Sequence, residues 1–507
     1  MALEFLDPVI KLLPEVKRPA QKPDFRKRLL WVVGALLIFF ILGQISPIGM
    51  LTPGLLEDIR ATDQATYNQL AQEMQNVLQR VGFLERVHTV LASDIGSLAT
   101  LGIGPIVMAS IILQLLAGAE FIKIDKSRYQ GVQKLFAILF CFFEACIYVY
   151  SGFLPIMPST LSLLPLPFLD AFFKLNHLLV ITQIAFGSIV LLYLDEVVSK
   201  YGFGSGIGLF IAAGVSQTIL FRSFDPATGL IPTFLSQTIQ SGIMDFDLLA
   251  PILFTVLVFL VVVFAEAMRI EIPLTLGRIR GVGGRYPLKF FYVSNLPVIL
   301  AAALFANVQL FASVLSGAGY PLLGMFGPEG TPLPELVLSL DPQTLSVPLA
   351  YAVQAPYGII GTSAAINQYI LNPTYTVLGF IPLDVVHLIV YSIIMVLVCV
   401  LFGIFWVETT GMGPAQVAGQ LQNVGFAVPG FRRDKRVIEK VLERYIPVIT
   451  ILGAASVGLL AAFADITGAI GTGTGILLTV GILYRLYEEL AQSQLTEMHP
   501  ALKQFFG

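Results

Sequence analysis

Ser97–Gly118, SLATLGIGPIVMASIILQLLAG, is apolar enough to enter a bilayer, yet Gly102, Gly104 and Pro105 interrupt its first half. A polar, helix-like segment, Phe83–Ser93 (FLERVHTVLAS), runs straight into it. A span of this build is expected in two pieces, a half-inserted segment and then a proper helix. Broken backbone is tolerated at membrane depth only where protein buries it or where it lines a cavity. The stretch is therefore expected to face a pore, with the other spans arranged around it.

Outward from that stretch, composition sets the class. The 507 residues are 56% hydrophobic and only 12% charged, with a mean hydropathy of +0.81. That is too little charge to cover a soluble surface. Runs of about 20 mostly apolar residues mark ten spans, near 29–48, 102–119, 134–153, 177–197, 206–221, 249–267, 290–315, 381–407, 446–465 and 470–489. The net charge of −3 says little about partners, but the basic residues are sorted along the chain. Of 30 Lys and Arg, 25 fall before the first span, after the even-numbered spans or at the C-terminal end, and five fall in the intervening loops. The positive-inside rule then puts both termini in the cytoplasm, so an all-α, multi-pass membrane protein is expected.

Cys141, Cys146 and Cys399 all lie inside predicted spans and offer neither a disulfide framework nor a metal pattern. The first apolar run follows seven basic residues and lacks a small-residue cleavage site, so no cleavable signal peptide is expected. Leu3, Leu6, Val9, Ile10 and Leu13 predict a short surface helix limited by Pro8. The PEVKRPAQKPDFRKR run after it reads as topology. In the outside segment Gly49–Leu101, the spacing of Tyr67, Leu70, Met74, Val77, Leu78 and Val81 predicts an amphipathic helix. It reads as a packed cover rather than a binding site.

Glu144 sits near the middle of the third span, where an acid is expensive and faces the protein interior or water. With no second acid at comparable depth, a structural or gating role is expected rather than proton transport. The glycines at 202, 204, 206 and 208, and the GTGTG of Gly471–Gly475, lack the strand and the Lys-Ser or Lys-Thr of a phosphate loop. They suit close backbone approach at tight turns.

Two loops concentrate positive charge. RIEIPLTLGRIRGVGGRYPLK alternates apolar and polar residues, reads as a projecting hairpin, and presents Arg269, Arg278, Arg280, Arg285 and Lys289. VPGFRRDKRVIEKVLERY brings Arg432, Arg433, Lys435 and Arg436 together. Both suggest an anionic partner, with nucleic acid, acidic protein and anionic lipid all open. The outside loop Ser316–Leu378 is mostly uncharged and rich in Gly and Pro, and no role is read from it.

The runs LGIGPIVMASIILQLLAG, LDEVVSKYGFGSGIGLFIAAGVSQTI, RIEIPL with GRIRG, RYPLKFFYVSNLPVILAAALFANVQL, FGIFWVETTG, GFRRDKR and GTGTGILLTVGILYRLYEEL resemble, in order, the archaeal branch of the SecY family. That family is the large subunit of the Sec protein-conducting channel. The resemblance implies a ten-helix clamshell around a central pore, with halves 29–221 and 222–507 related by a pseudo-two-fold axis and preceded by a cytoplasmic segment 1–28. By motif, Ile103, Val107, Ile207, Ile211, Ile299 and Leu478 would form its apolar pore ring. A plug near 83–98 would carry Phe83, Glu85, Arg86, His88, Ser93 and Asp94. The lateral gate would open between helices two and three and helices seven and eight, with Glu144 and Asn307 at its polar positions. Met108 stands where some relatives have a small polar residue.

Arg278 and Arg280 in the loop 268–289, and Arg432 and Arg433 in the loop 408–445, would dock the ribosome. Further implied partners are SecE-like and small beta-type single-span subunits, the secretory polypeptide and membrane lipid, but no DNA. Neither cofactor nor metal is expected, and no nucleophile-base pair marks an enzyme. The function implied is translocation of unfolded secretory polypeptides and lateral release of transmembrane segments. A secondary transporter, also built from broken helices and inverted halves, is the alternative; the near-absence of mid-span charge counts against it.

Overall fold

A computed structural model describes residues 7–19, 23–62, 64–81, 91–118, 126–157, 175–242, 244–272, 275–276, 286–293, 296–317, 320, 349–356, 358–373, 376–377, 381–424, 426–427 and 435–498. Among them, ten helices fall on the ten expected spans: α1 (Phe25–Gln44), α2 (Gly104–Gly118), α3 (Lys126–Tyr150), α4 (Leu175–Tyr201), α5 (Gly206–Phe224), α6 (Ala250–Ala267), α7 (Leu296–Gly317), α8 (Leu383–Thr410), α9 (Lys435–Thr467) and α10 (Gly473–Met498). Seven of these regions are long and apolar enough to cross a bilayer by length and composition, and Gly104–Leu116 is a shorter apolar helix. Outward-facing apolar side chains such as Leu30, Leu253 and Phe264 stand exposed along the helices, as a lipid-facing surface requires.

The interrupted stretch is short of helix for longer than the sequence suggests. Residues 91–103 form turns, and α2 starts only at Gly104. The polar groups of this broken backbone are all the more in need of partners at depth, and the surrounding helices supply several. Ser188 Oγ of α4 donates to the Gly102 carbonyl at 2.9 Å, and Leu98 N–H donates to the Ile45 carbonyl at 2.8 Å. Ile103 N–H closes the turn on the Leu91 carbonyl at 2.9 Å. Gly102 has φ +54°, and a Cβ there would sit 2.3 Å from the Leu91 carbonyl oxygen. No residue with a side chain fits.

Around this stretch, α2 packs on α3, α7 and α8, while α5 and α6 both pack on α10. The pair α8 and α9 approaches closely enough that a Cβ on Gly403 would meet Ala454 Cβ at 2.9 Å, the small-residue packing that helices in lipid favour. Cys141 and Cys399 are buried free thiols, packed as small apolar residues.

Helix α9 corrects the sequence reading. Its apolar core suggests a start near Ile446, but the helix begins at Lys435 and takes in most of the second basic loop. Ile438, Leu442 and Ile446 bury one face against Val417, Ala418 and Leu421 of the helix Pro414–Val424, while charged residues occupy the other face. Mean hydropathy averages such an amphipathic extension away.

Antiparallel strands β1 (Arg269–Ile272) and β3 (Tyr286–Lys289) form the expected hairpin base, in register Arg269↔Lys289. Strand β2 (Thr275–Leu276) pairs instead with β6 (Phe426–Ala427), so the two basic loops are joined. A small pair, β4 (Thr376–Val377) with β5 (Ile381–Pro382), leads into α8.

On the far side, Pro53–Thr62 and Gln64–Val81 form two helices packed through Leu51, Leu56 and Leu70 with Tyr67 and Met74, as the periodicity predicts. The long Gly/Pro-rich loop contributes a wedge there. Gly358 N–H donates to the Asp465 carbonyl at 3.1 Å, Ile360 N–H donates to the Ile466 carbonyl at 3.2 Å, and Tyr351 stacks on His387 at 4.2 Å.

At the other face, the helix Asp7–Leu12 lies on α3, where a Cβ on Gly131 would meet Ile10. The following residues strap across α3 and α4. Lys134 and Lys200 both pair with Glu196, at 2.8 and 2.7 Å, and Tyr201 donates to the Lys17 carbonyl at 2.8 Å.

Candidate conduit, gate and docking loops

The aliphatic residues expected to form the ring lie at the starts of α2, α5, α7 and α10. Ile103 immediately precedes α2 and Val107 lies in its first turn, four residues on, while Ile207 and Ile211 stand one turn apart on one face of α5. Ile299 enters from α7 and Leu478 from α10. All six belong to one apolar cluster: Ile103, Ile211 and Leu478 have no exposure, Val107 and Ile299 are buried, and Ile207 packs half-buried against them. An apolar constriction built of such side chains would exclude water and ions, and flexible aliphatics could part around a passing chain.

Leu91 and Ala92, at the start of the turns 91–103, belong to the same cluster. Ser93 and Asp94 line a cavity of about 360 Å³ with Phe39, Gly43, Gln217 and Arg222, between the ends of α1 and α5. Asp94 is exposed at this cavity. Phe83, Glu85, Arg86 and His88 lie outside the described residues.

The seam between α2 and α3 on one side and α7 and α8 on the other is closed. Helix α2 touches both α7 and α8, and Phe143 of α3 meets Phe311 of α7 with ring centroids 6.4 Å apart. Glu144 is 5% exposed and lies over Gly104, where a Cβ would come within 3.2 Å of Oε2. Its Oε1 has no hydrogen-bond partner. Asn307 is buried but turns inward on its own helix, donating from Nδ2 to the Ala303 carbonyl at 2.8 Å. Met108 is buried as well. Among the described residues no hydrogen bond joins Glu144 to Asn307.

In the basic loops, Arg278, Arg280, Arg285, Arg432 and Arg433 lie outside the described residues. The hairpin base carries less free charge than its sequence implies. Glu488 of α10 pairs with Arg269 at 2.9 Å and also with Lys289.

Two carboxylates passed over in the sequence are built into the site. Asp465 is 2% exposed; its Oδ1 accepts from Gly473 N–H at 2.7 Å and its Oδ2 from the Tyr391 hydroxyl at 2.8 Å. Asp195 accepts from Ile207 N–H at 2.9 Å. The signal that could have found them is an Asp placed eight to twelve residues ahead of the bonded amide in each Gly-rich turn.

A family model described as SecY matches residues 97–487. The chain belongs to the SecY family. Over 508 residues it is 42% identical to the protein translocase subunit SecY of Methanococcus vannielii, covering 99% of each chain. It is similar to a solved protein-conducting channel with a TM-score of 0.77 and 42% identity, covering 98% of this chain and 99% of that one. Sec61 in a canine ribosome-channel complex from the endoplasmic reticulum gives a TM-score of 0.74 and 42% identity, with coverage of 98% and 99%. Full-length likeness of this kind makes the ten-helix SecY clamshell a multi-pass channel subunit of a protein translocase, and the transporter alternative finds no support in it.

Proposed function

We propose that polypeptide crosses this SecY channel through the collar of Ile103, Val107, Ile207, Ile211, Ile299 and Leu478. The observation that supports this reading is that these six aliphatics pack in or against one apolar core that also takes in Leu91 and Ala92 of the non-helical segment 91–103. At rest the collar blocks ions by dewetting. An unfolded chain parts it because no fixed polar group has to be stripped of partners.

The segment near 83–98, with Phe83, Glu85, Arg86, His88, Ser93 and Asp94, acts as the plug. The cavity behind Ser93 and Asp94 supports this reading, since it leaves room for displacement. Lateral release of transmembrane segments runs through the α2/α3–α7/α8 seam, where Glu144, Met108 and Asn307 bias the closed state. That bias is one of packing rather than of a shared hydrogen bond.

Arg278, Arg280, Arg432 and Arg433 dock an RNA-rich partner, the ribosome, on loops that β2 and β6 hold together. With those loops and both termini in the cytoplasm, the protein sits in the cell membrane. SecE-like and beta-type single-span subunits clasp its halves, and the channel is a passive one whose driving energy comes from its partner.

Site-specific crosslinking of a stalled, ribosome-bound secretory chain to probes at Ile103, Ile211 and Leu478 tests the conduit. Adducts at these sites, and none at exposed Leu253 or Phe264, are expected. Ribosome binding without ring adducts would refute the assignment of the collar.

A further inference from the structure

Helices α5 and α10 open on matching residues, Gly206-Ile207-Gly208-Leu209-Phe210-Ile211 and Gly473-Thr474-Gly475-Ile476-Leu477-Leu478. Ile211 and Leu478 are each the sixth residue of their helix. Each start is held by an aspartate from the end of the preceding helix. Asp195 Oδ1 accepts from Ile207 N–H at 2.9 Å and from Ser205 Oγ at 3.3 Å, and Asp465 Oδ1 accepts from Gly473 N–H at 2.7 Å. These amides are among those a helix leaves without internal partners at its N-terminus, and a carboxylate there also meets the positive end of the dipole. The first residue must be Gly for the aspartate to come so close. A Cβ on Gly206 would lie 2.5 Å from Asp195 Cα, and one on Gly473 would lie 2.5 Å from Asp465 N.

The third residue is Gly in both helices and faces the tenth residue of the other. A Cβ on Gly208 would meet Ile482 at 3.3 Å, and one on Gly475 would meet Val215 at 3.0 Å. This contact is reciprocal, as two-fold related surfaces require, and it makes α5 and α10 an antiparallel pair across the pseudo-symmetry axis. A helix rises 1.5 Å per residue, so each capped amide fixes its sixth residue about 6–8 Å further along the axis.

We propose that Asp195 and Asp465 are equivalent positioning residues, one in each half, that set the height of Ile211 and Leu478 along the pore and thereby hold the collar closed. The proposal rests on the ring reading above. Neither aspartate touches the translocating chain; each acts through the helix that it caps.

The test is the resting ion current per channel of the full chain in planar bilayers. Asp195→Ala and Asp465→Ala are each expected to raise it about tenfold, the shift that follows from losing a charge-assisted hydrogen bond. Asp195→Asn and Asp465→Asn, which keep an acceptor oxygen in place, are expected to restore most of the seal. A merely structural role would lower the amount of channel recovered and leave current per channel unchanged. Should Asp465→Ala not be recovered, Asp465→Ser gives the same readout, because its hydroxyl is too short to reach the Gly473 amide. Leu478→Gly is the reference. If it leaks while the alanine variants seal like the parent, the positioning role is overturned and the ring stands. If it seals too, the ring reading itself fails.

Discussion

Tyr391 of α8 donates its hydroxyl proton to Asp465 of α9 at 2.8 Å, across 74 residues of sequence and with both groups buried. The bond ties a helix of the closed seam to the turn from which α10 starts. Its removal should be felt as stability. Tyr391→Phe removes one hydrogen bond to a buried carboxylate, at a cost of about 1.5–3 kcal/mol. A lower midpoint of thermal unfolding in detergent is expected. Tyr391→Ala should fall further, since it also loses the ring packed on Phe305. Equal midpoints for Tyr391→Phe and the parent would show that the hydroxyl contributes nothing.

Gly102→Ala should unseat the turns at 91–103. The residue has φ +54° and no space for a Cβ, and a strained backbone of this kind costs about 1–3 kcal/mol. Resting ion leak is the measurement, and a rise is expected. Gly54→Ala, with nothing within 4 Å of the added carbon, should leave the seal intact. A sealed Gly102→Ala channel would contradict the geometry.

Cysteines at 143 and 311, in a chain whose Cys141, Cys146 and Cys399 are replaced by Ala, should join when treated with a short bismaleimide, because the native rings stand 6.4 Å apart. Once joined, the channel should no longer release transmembrane segments into lipid, while the untreated variant should still do so. Lateral release that continues after complete crosslinking would place the exit elsewhere.

Ribosome binding should weaken with salt, and the slope should report which arginines meet phosphate. Removing one such contact by Arg278→Ala, Arg280→Ala, Arg432→Ala or Arg433→Ala should reduce the log–log salt slope by about 0.7–0.9. Arg269→Ala should hardly move it, because Glu488 already holds that guanidinium. Co-sedimentation across a potassium chloride series separates the two outcomes. Equal slope changes for Arg269→Ala and Arg278→Ala would mean that the hairpin base also docks.

The spans, the interrupted second helix, the hairpin base and the outer amphipathic helix were legible in the residues because each is a local property. Hydropathy sums over a window, and periods of 2 and 3.6 belong to neighbouring side chains. The same locality explains the misreading of α9, whose first turns are helical for the sake of a face buried on Val417 and Leu421. The candidate ring was legible only through resemblance, since an isoleucine at 211 looks like any core aliphatic until four helices are assembled.

Sequence by itself thus determined which segments span the membrane and where their backbone breaks. Tertiary structure alone decided which charges are paired. Glu488 engages Arg269 from 219 residues away, β2 joins β6 across the two loops, and Asp465 reaches both its own turn and Tyr391. Pairings of that kind depend on where helices meet in three dimensions, and no window along the chain contains both partners.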